Sequence, residues 1–135
     1  MDMNIPPLPP GYTAWAQSRA QDIYLRLKAE GFEVYFPGQK VGTCTTKYVV
    51  VKQSTTNQVY GLSSTVTYYD ILCYVPRGYP AEIQPFVDSV KTAMKKLWPM
   101  IVPTYEETAP FFDNEVGGYM TSVIYRNYKY IEGGR

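Results

Sequence analysis

A chain of 135 residues, 45% hydrophobic and 19% charged, suits one domain around one core and lacks the composition of a disordered polymer. Its formal net charge of +1 supplies no field for nucleic acid or an anionic membrane, and no apolar run nears the ~20 residues that span a bilayer. The absence of histidine excludes imidazole acid–base chemistry, Ser–His–Asp and Cys–His catalysis, and His-ligated zinc.

Residues 1–12 hold Pro6, Pro7, Pro9, Pro10 and Gly11. Proline lacks an amide donor and fixes φ, so this stretch is expected to be a semi-rigid extended arm that docks on a neighbouring subunit. Its PxxP matches, Pro6/Pro9 and Pro7/Pro10, are too common to imply a dedicated partner. The segment has neither a cationic start nor an apolar stretch of the secretory kind, so an intracellular or virion setting is expected. The single domain is expected over 13–131, with a loose tail at 132–135.

Thr13 is a candidate N-cap for a helix through about Glu30. Trp15, Ala16, Ala20, Ile23, Tyr24 and Leu27 recur at helical spacing, and Gly31 supplies the stop. Phe32–Phe36 predicts a short strand closed by Pro37-Gly38, and Gln39–Lys47 a polar loop. Tyr48–Gln53 predicts a second strand, with turn chemistry at Ser54–Asn57. The run Val59–Val75 predicts one long strand, or two with a bend near Gly61. Along it Thr67, Tyr69, Ile71, Cys73 and Val75 share the face better suited to the core, because Asp70 lies on the other.

Ala81–Leu97 has the clearest pattern. Ile83, Phe86, Val87, Val90, Met94 and Leu97 form one helical stripe, with Glu82 early and Lys91, Lys95 and Lys96 late, as the helix dipole favours. Pro85 fits only in a first turn. Residues 98–114 contain Pro99, Pro103 and Pro110 and predict a long irregular connection with one short strand. Gly118–Ile131 predicts the last strand. The order α-β-β-β-α-loop-β implies an α+β fold: an antiparallel or mixed sheet of about four strands with two helices on one face.

Catalytic chemistry is thinly represented. Glu106, Glu107, Asp113 and Glu115 lie in a polar region that offers no means of separating their pKa values. Gly38-Gln39-Lys40-Val41-Gly42 lacks the spacing of a phosphate cradle. Lys91, Lys95, Lys96, Arg126 and Lys129 are explained by helix and strand solvation as readily as by phosphate contacts. Cys44 and Cys73 form no CxxC pair and are expected to be small buried side chains. No catalytic residue, cofactor or metal is expected. The excess is tyrosine, 14 residues, whose apolar ring and water-tolerant hydroxyl suit surfaces buried on assembly.

Several phrases carry a resemblance. Phe36-Pro37-Gly38, Cys44 with Tyr48-Val49-Val50-Val51-Lys52, and Tyr69-Asp70-Ile71-Leu72-Cys73-Tyr74-Val75-Pro76 are three of them. Pro85-Phe86-Val87-Asp88-Ser89-Val90-Lys91, Ala93-Met94-Lys95-Lys96-Leu97 and Tyr125-Arg126-Asn127-Tyr128 complete the set. Over residues 15 to 131 they resemble, in phrase and element order, the tail-terminator (tail completion) proteins of long, non-contractile-tailed bacteriophages and prophages. The resemblance implies a non-enzymatic virion subunit in a homo-oligomeric ring, commonly a hexamer, at the head-proximal end of the tail tube. Such a ring stops tube growth and meets the head–tail connector or stopper protein, with DNA passing through its lumen. Its setting would be the virion tail or neck, and the host cytoplasm during assembly, with no membrane partner. Tyr60, Tyr68, Tyr74, Tyr105, Phe111 and Phe112 are the candidate assembly contacts, chosen by position. A head-closure or neck connector subunit is the nearest alternative, and a small ligand-binding domain the alternative from another class.

Overall fold

The computed structural model describes residues 19–58 and 64–130. Helix α1 (Arg19–Ala29) is followed by strands β1 (Val34–Tyr35), β2 (Tyr48–Gln58) and β3 (Ser64–Pro76), then helix α2 (Ile83–Met94) between short 3-10 turns. Strands β4 (Val102–Glu107), β5 (Phe111–Asp113) and β6 (Gly118–Tyr130) complete the described elements. The fold is α+β with a mixed sheet in the order β1-β2-β3-β6-β4, and β5 also pairs with β6. β1 runs parallel to β2, and the other pairings are antiparallel.

The sheet has six strands rather than about four. The additional pairing lies in the proline-rich connection, where β4 and β5 take successive halves of the free side of β6. Between them Thr108 spans the gap: its amide donates to the Ser122 carbonyl and its hydroxyl accepts from the Ser122 amide, both at 2.9 Å. The prolines are tolerated because this is an edge, where a missing donor breaks no interior ladder. Ser54–Asn57 is not a turn but part of β2, with a register shift between Gln53 and Thr56. The Thr56 and Thr67 hydroxyls bond at 2.9 Å across the strands, so β-branched residues extend the ladder where turn chemistry was expected. The strand expected over Phe32–Phe36 shortens to β1. The arm at 1–12, the cap at Thr13, Trp15, Ala16, Tyr60, the bend near Gly61 and the tail from Ile131 lie outside the described residues.

Helix α1 ends as its sequence predicts. Gly31 takes φ +96°, its amide donates to Lys28, and the Phe32 amide reaches back to the Leu27 carbonyl at 3.1 Å. This double closure satisfies carbonyls that the last helical turn leaves open. Pro85 sits in the first turn of α2. Ile83, Phe86, Val87, Val90, Met94 and Leu97 are all buried, as the stripe requires.

Both helices cover one face of the sheet. There Ile23 and Leu27 of α1 and Val87 and Val90 of α2 join Val49, Val51, Ile71, Cys73, Val75, Val123 and Tyr125 in the main core. Among the described residues the opposite face carries no helix. A smaller cluster of Cys44, Tyr48 and Tyr74 covers one end of it, with Tyr35, Val50, Leu72, Val116 and Met120 half-buried around them. Cys44 and Cys73 are both buried and unbridged, and the sheet lies between their two clusters.

Gly118 is where the cluster of the helix-free face meets the backbone. A Cβ there would lie 2.9 Å from both the Cys44 Cβ and the Val75 carbonyl oxygen. The carbonyl belongs to the ladder and cannot swing aside. Gly118→Ala should therefore lower stability by about 1–3 kcal/mol, the usual cost of overpacking, measured by thermal unfolding. An unchanged melting temperature would show that the Cys44 loop yields freely.

Candidate interaction surfaces

The turn after α2 is held at several points. Leu97 and Ile101 are buried, and the Ile101 amide donates to the Leu97 carbonyl at 3.0 Å. The Asn127 amide group donates to the Met100 carbonyl at 2.7 Å, and the Arg19 guanidinium reaches Met100 Sδ. Between these anchors Trp98, followed by a cis peptide to Pro99, stands 66% exposed. An indole on a pinned turn presents a large apolar area with little ordering cost on contact.

Tyr105 faces the same space from the neighbouring strand. β4 shifts register between Pro103 and Glu106, and Tyr105 takes φ +66°, a conformation tyrosine rarely adopts. The Thr104 hydroxyl holds the kink by donating to the Ile124 carbonyl at 2.8 Å and accepting from the Glu106 amide at 3.2 Å. The result is a Tyr105 side chain 91% exposed. Trp98 and Tyr105 wall a cleft of about 430 Å³ floored by Met94, Ile101, Pro103 and Tyr125. Lys91 and Lys95 stand at its rim, and Lys91 pairs with Glu107. Burial raises the Tyr125 phenol well above its ordinary range, so it is a neutral floor rather than an anion site.

A second recess of about 290 Å³ lies on the helix-free face toward the opposite edge. Pro37, Lys40, Val50, Leu72 and Val116 line it around Tyr48 and Tyr74. Tyr48 and Tyr74 are stacked at 4.8 Å, and the Lys40 ammonium lies 5.6 Å from the Tyr48 ring centre. Beside it the surface continues through Lys52 opposite Asp70, then Tyr68 opposite Arg126.

The candidate contacts chosen from sequence therefore scatter. Tyr105 is the most exposed of those described, and Phe111 is 45% exposed on β5. Phe112 is half-buried, edge-on to Tyr119 at 5.2 Å with the Arg77 guanidinium 5.7 Å from its ring centre. Tyr68 is half-buried on the helix-free face. Tyr74 is 8% exposed, and its ring is committed to the stack within the subunit. Tyr60 lies outside the described residues. Trp98 and the exposed Tyr79 were not among the candidates. Trp98 had a visible signal: it precedes Pro99, which disfavours helical backbone at the residue before it and so takes Trp98 out of the α2 stripe into extended backbone.

Of the charged residues weighed as patches, Lys91 pairs with Glu107 and Lys96 with Glu30 at 2.8 Å; outside that set Lys47 pairs with Glu82 at 2.6 Å. The Lys96 hydrogen bond holds the half-buried Glu30 carboxyl below its usual range. Among the described residues no group of three or more cysteine and acidic side chains converges as a metal site would need. No helix among them is long and apolar enough to cross a membrane. No protein-family model matches this chain, and no curated protein matches it in sequence.

Proposed function

We propose that this chain is a non-enzymatic assembly subunit, a tail-terminator-like protein that closes into a ring at the head-proximal end of a phage tail tube. The observation that carries the reading is the presence of two unlike surfaces at opposite ends of the sheet order. The Trp98–Tyr105 cleft lies on the helix side near β4, and the Tyr48–Val50–Leu72 recess lies on the bare side near β1 and β2. A closed ring of identical subunits joined head to tail needs two different complementary patches on each copy. A monomer with one symmetric patch would make a dimer instead.

The chemistry of the cleft agrees with this. Exposed tryptophan and tyrosine are the side chains that most often dominate binding energy at protein interfaces, and the strained backbone at Tyr105 holds one of them outward. The phrase resemblance to tail terminators supplies the setting: the ring caps the tail tube and offers its other side to the connector.

The test is a stop codon in this gene in the phage or prophage, with the lysate examined by negative-stain electron microscopy. Filled heads beside unattached tails of excessive length are the expected result, because tube growth has lost its stop. Free tails of normal length beside heads that have lost their DNA would move the protein to the connector side. Intact virions would overturn the structural role altogether.

A further inference from the structure

The Trp98–Tyr105 cleft has the chemistry of a proline-rich-segment site. Such segments adopt the polyproline II helix, with three residues per turn, so prolines three apart fall on one face. Aromatic walls suit them because flat rings pack on pyrrolidine rings, and their carbonyls, free of internal hydrogen bonds, accept from nearby donors. The cleft offers both. Its walls are Trp98 and Tyr105, its floor is Met94, Ile101 and Pro103, and Lys95 stands at the rim with an ammonium able to donate.

The chain carries one segment of this kind, Ile5-Pro6-Pro7-Leu8-Pro9-Pro10, with Pro6/Pro9 and Pro7/Pro10 at the required spacing. Where the described chain begins also matters. Arg19 contacts Met100, two positions from Trp98. Pro10 is nine positions before Arg19, a reach of about 30 Å extended or about 14 Å if helical. A tether of that length holds the segment near its own cleft at an effective concentration in the millimolar range, by order of magnitude. Asp2, three positions before Ile5, brings a negative charge toward the lysine rim.

We infer that residues Ile5–Pro10 dock into the Trp98–Tyr105 cleft of the same molecule. The arm is thus a tethered ligand of its own subunit rather than a strap on a neighbour. The inference rests on the assembly reading for its purpose, since the arm then covers the patch until a neighbouring subunit displaces it. Its chemistry and its test do not depend on that reading.

The experiment uses the full chain with Trp15→Phe, which leaves Trp98 as the sole tryptophan. Acrylamide quenching is compared with and without four further substitutions, Pro6→Ser, Pro7→Ser, Pro9→Ser and Pro10→Ser. The native arm should lower the quenching constant at least about threefold and shift emission to shorter wavelength. The difference should persist on hundredfold dilution, and added peptide of residues 1–12 should restore shielding to the arm variant. Tyr105→Ala in the native-arm chain should expose Trp98 to a similar degree. If Trp15→Phe disturbs folding, amide exchange over residues 99–105 gives the same comparison with Trp15 in place. Equal quenching and equal exchange with both arms would overturn the inference, as would shielding that disappears on dilution. Tail length in the lysate bears only on the assembly reading, so the two can fail separately.

Discussion

Above about pH 10 the protein should lose stability steeply and unfold cooperatively by about pH 12. Tyr48 and Tyr125 are pushed well above the ordinary phenol value of 10.0 by burial. Tyr35 is raised to about 12, first because its hydroxyl donates to the Glu33 carboxylate and then by burial. Tyr24, Tyr69 and Tyr74 move the same way, and burial lifts the Cys73 thiol from 9.0 to about 12. In the unfolded chain these groups ionise near their ordinary values, while the folded chain keeps their protons. The native state then binds more protons in this window, so stability is fully present below about pH 9 and declines as pH rises toward the folded pKa values. Each strongly shifted group costs about 1.4 kcal/mol per pH unit across its window. Cys73, Tyr48 and Tyr125 together then remove on the order of 5 kcal/mol by pH 11, comparable to the whole stability of many domains. Circular dichroism and tyrosinate absorbance should change in step. Smooth tyrosine ionisation with the fold intact would sink the prediction.

The other large effect separates two adjacent residues on β3. Ile71 is fully buried on the helix-covered face, with Val51 and Val123 as its cross-strand partners. Ile71→Ala should cost about 2–5 kcal/mol, the lost transfer energy plus that of a cavity the surrounding sheet cannot close. Leu72 points the opposite way, half-buried between Val50 and Ser122. Leu72→Ala should cost about 1–2 kcal/mol, because part of its surface already meets water in the folded chain. Urea unfolding of both variants measures the difference. Equal losses would mean that the helix-free face is filled as tightly as the core.

That contrast was legible in the sequence, because strand alternation placed Ile71 with Tyr69 and Cys73 and set Asp70 apart with Leu72. The stripe of α2 and the glycine stop of α1 were equally plain, since both are local patterns. The pairing of β4 and β5 was not. Prolines argue against interior strands, and only the free side of β6 made an edge position available to them. Ser54–Asn57 misled for a related reason: turn-forming residues continue a strand when a partner strand supplies the hydrogen bonds. The surface was harder to read than the core. Tyr74 and Tyr105 look alike in sequence, yet one is stacked on Tyr48 and the other is thrown outward by a positive φ. A register shift decides that difference, and no side-chain pattern announces it.

The placement of β6 has a consequence for how the protein is made. It pairs along its whole length with β3, from Ser64↔Tyr130 to Pro76↔Gly118, and on its other side with β4 and β5. The last of the described strands is thus an interior strand of the sheet. On the ribosome, the earlier strands and both helices emerge without the surface on which half of the sheet depends. Pairing so remote in sequence closes long loops before it gains contacts, which places folding in the slower, milliseconds-to-seconds range. A chain interrupted before β6 loses the Tyr125 floor, the Asn127 anchor and the Ile124 carbonyl that holds the Tyr105 kink, so the aromatic cleft does not form until the strand is in place.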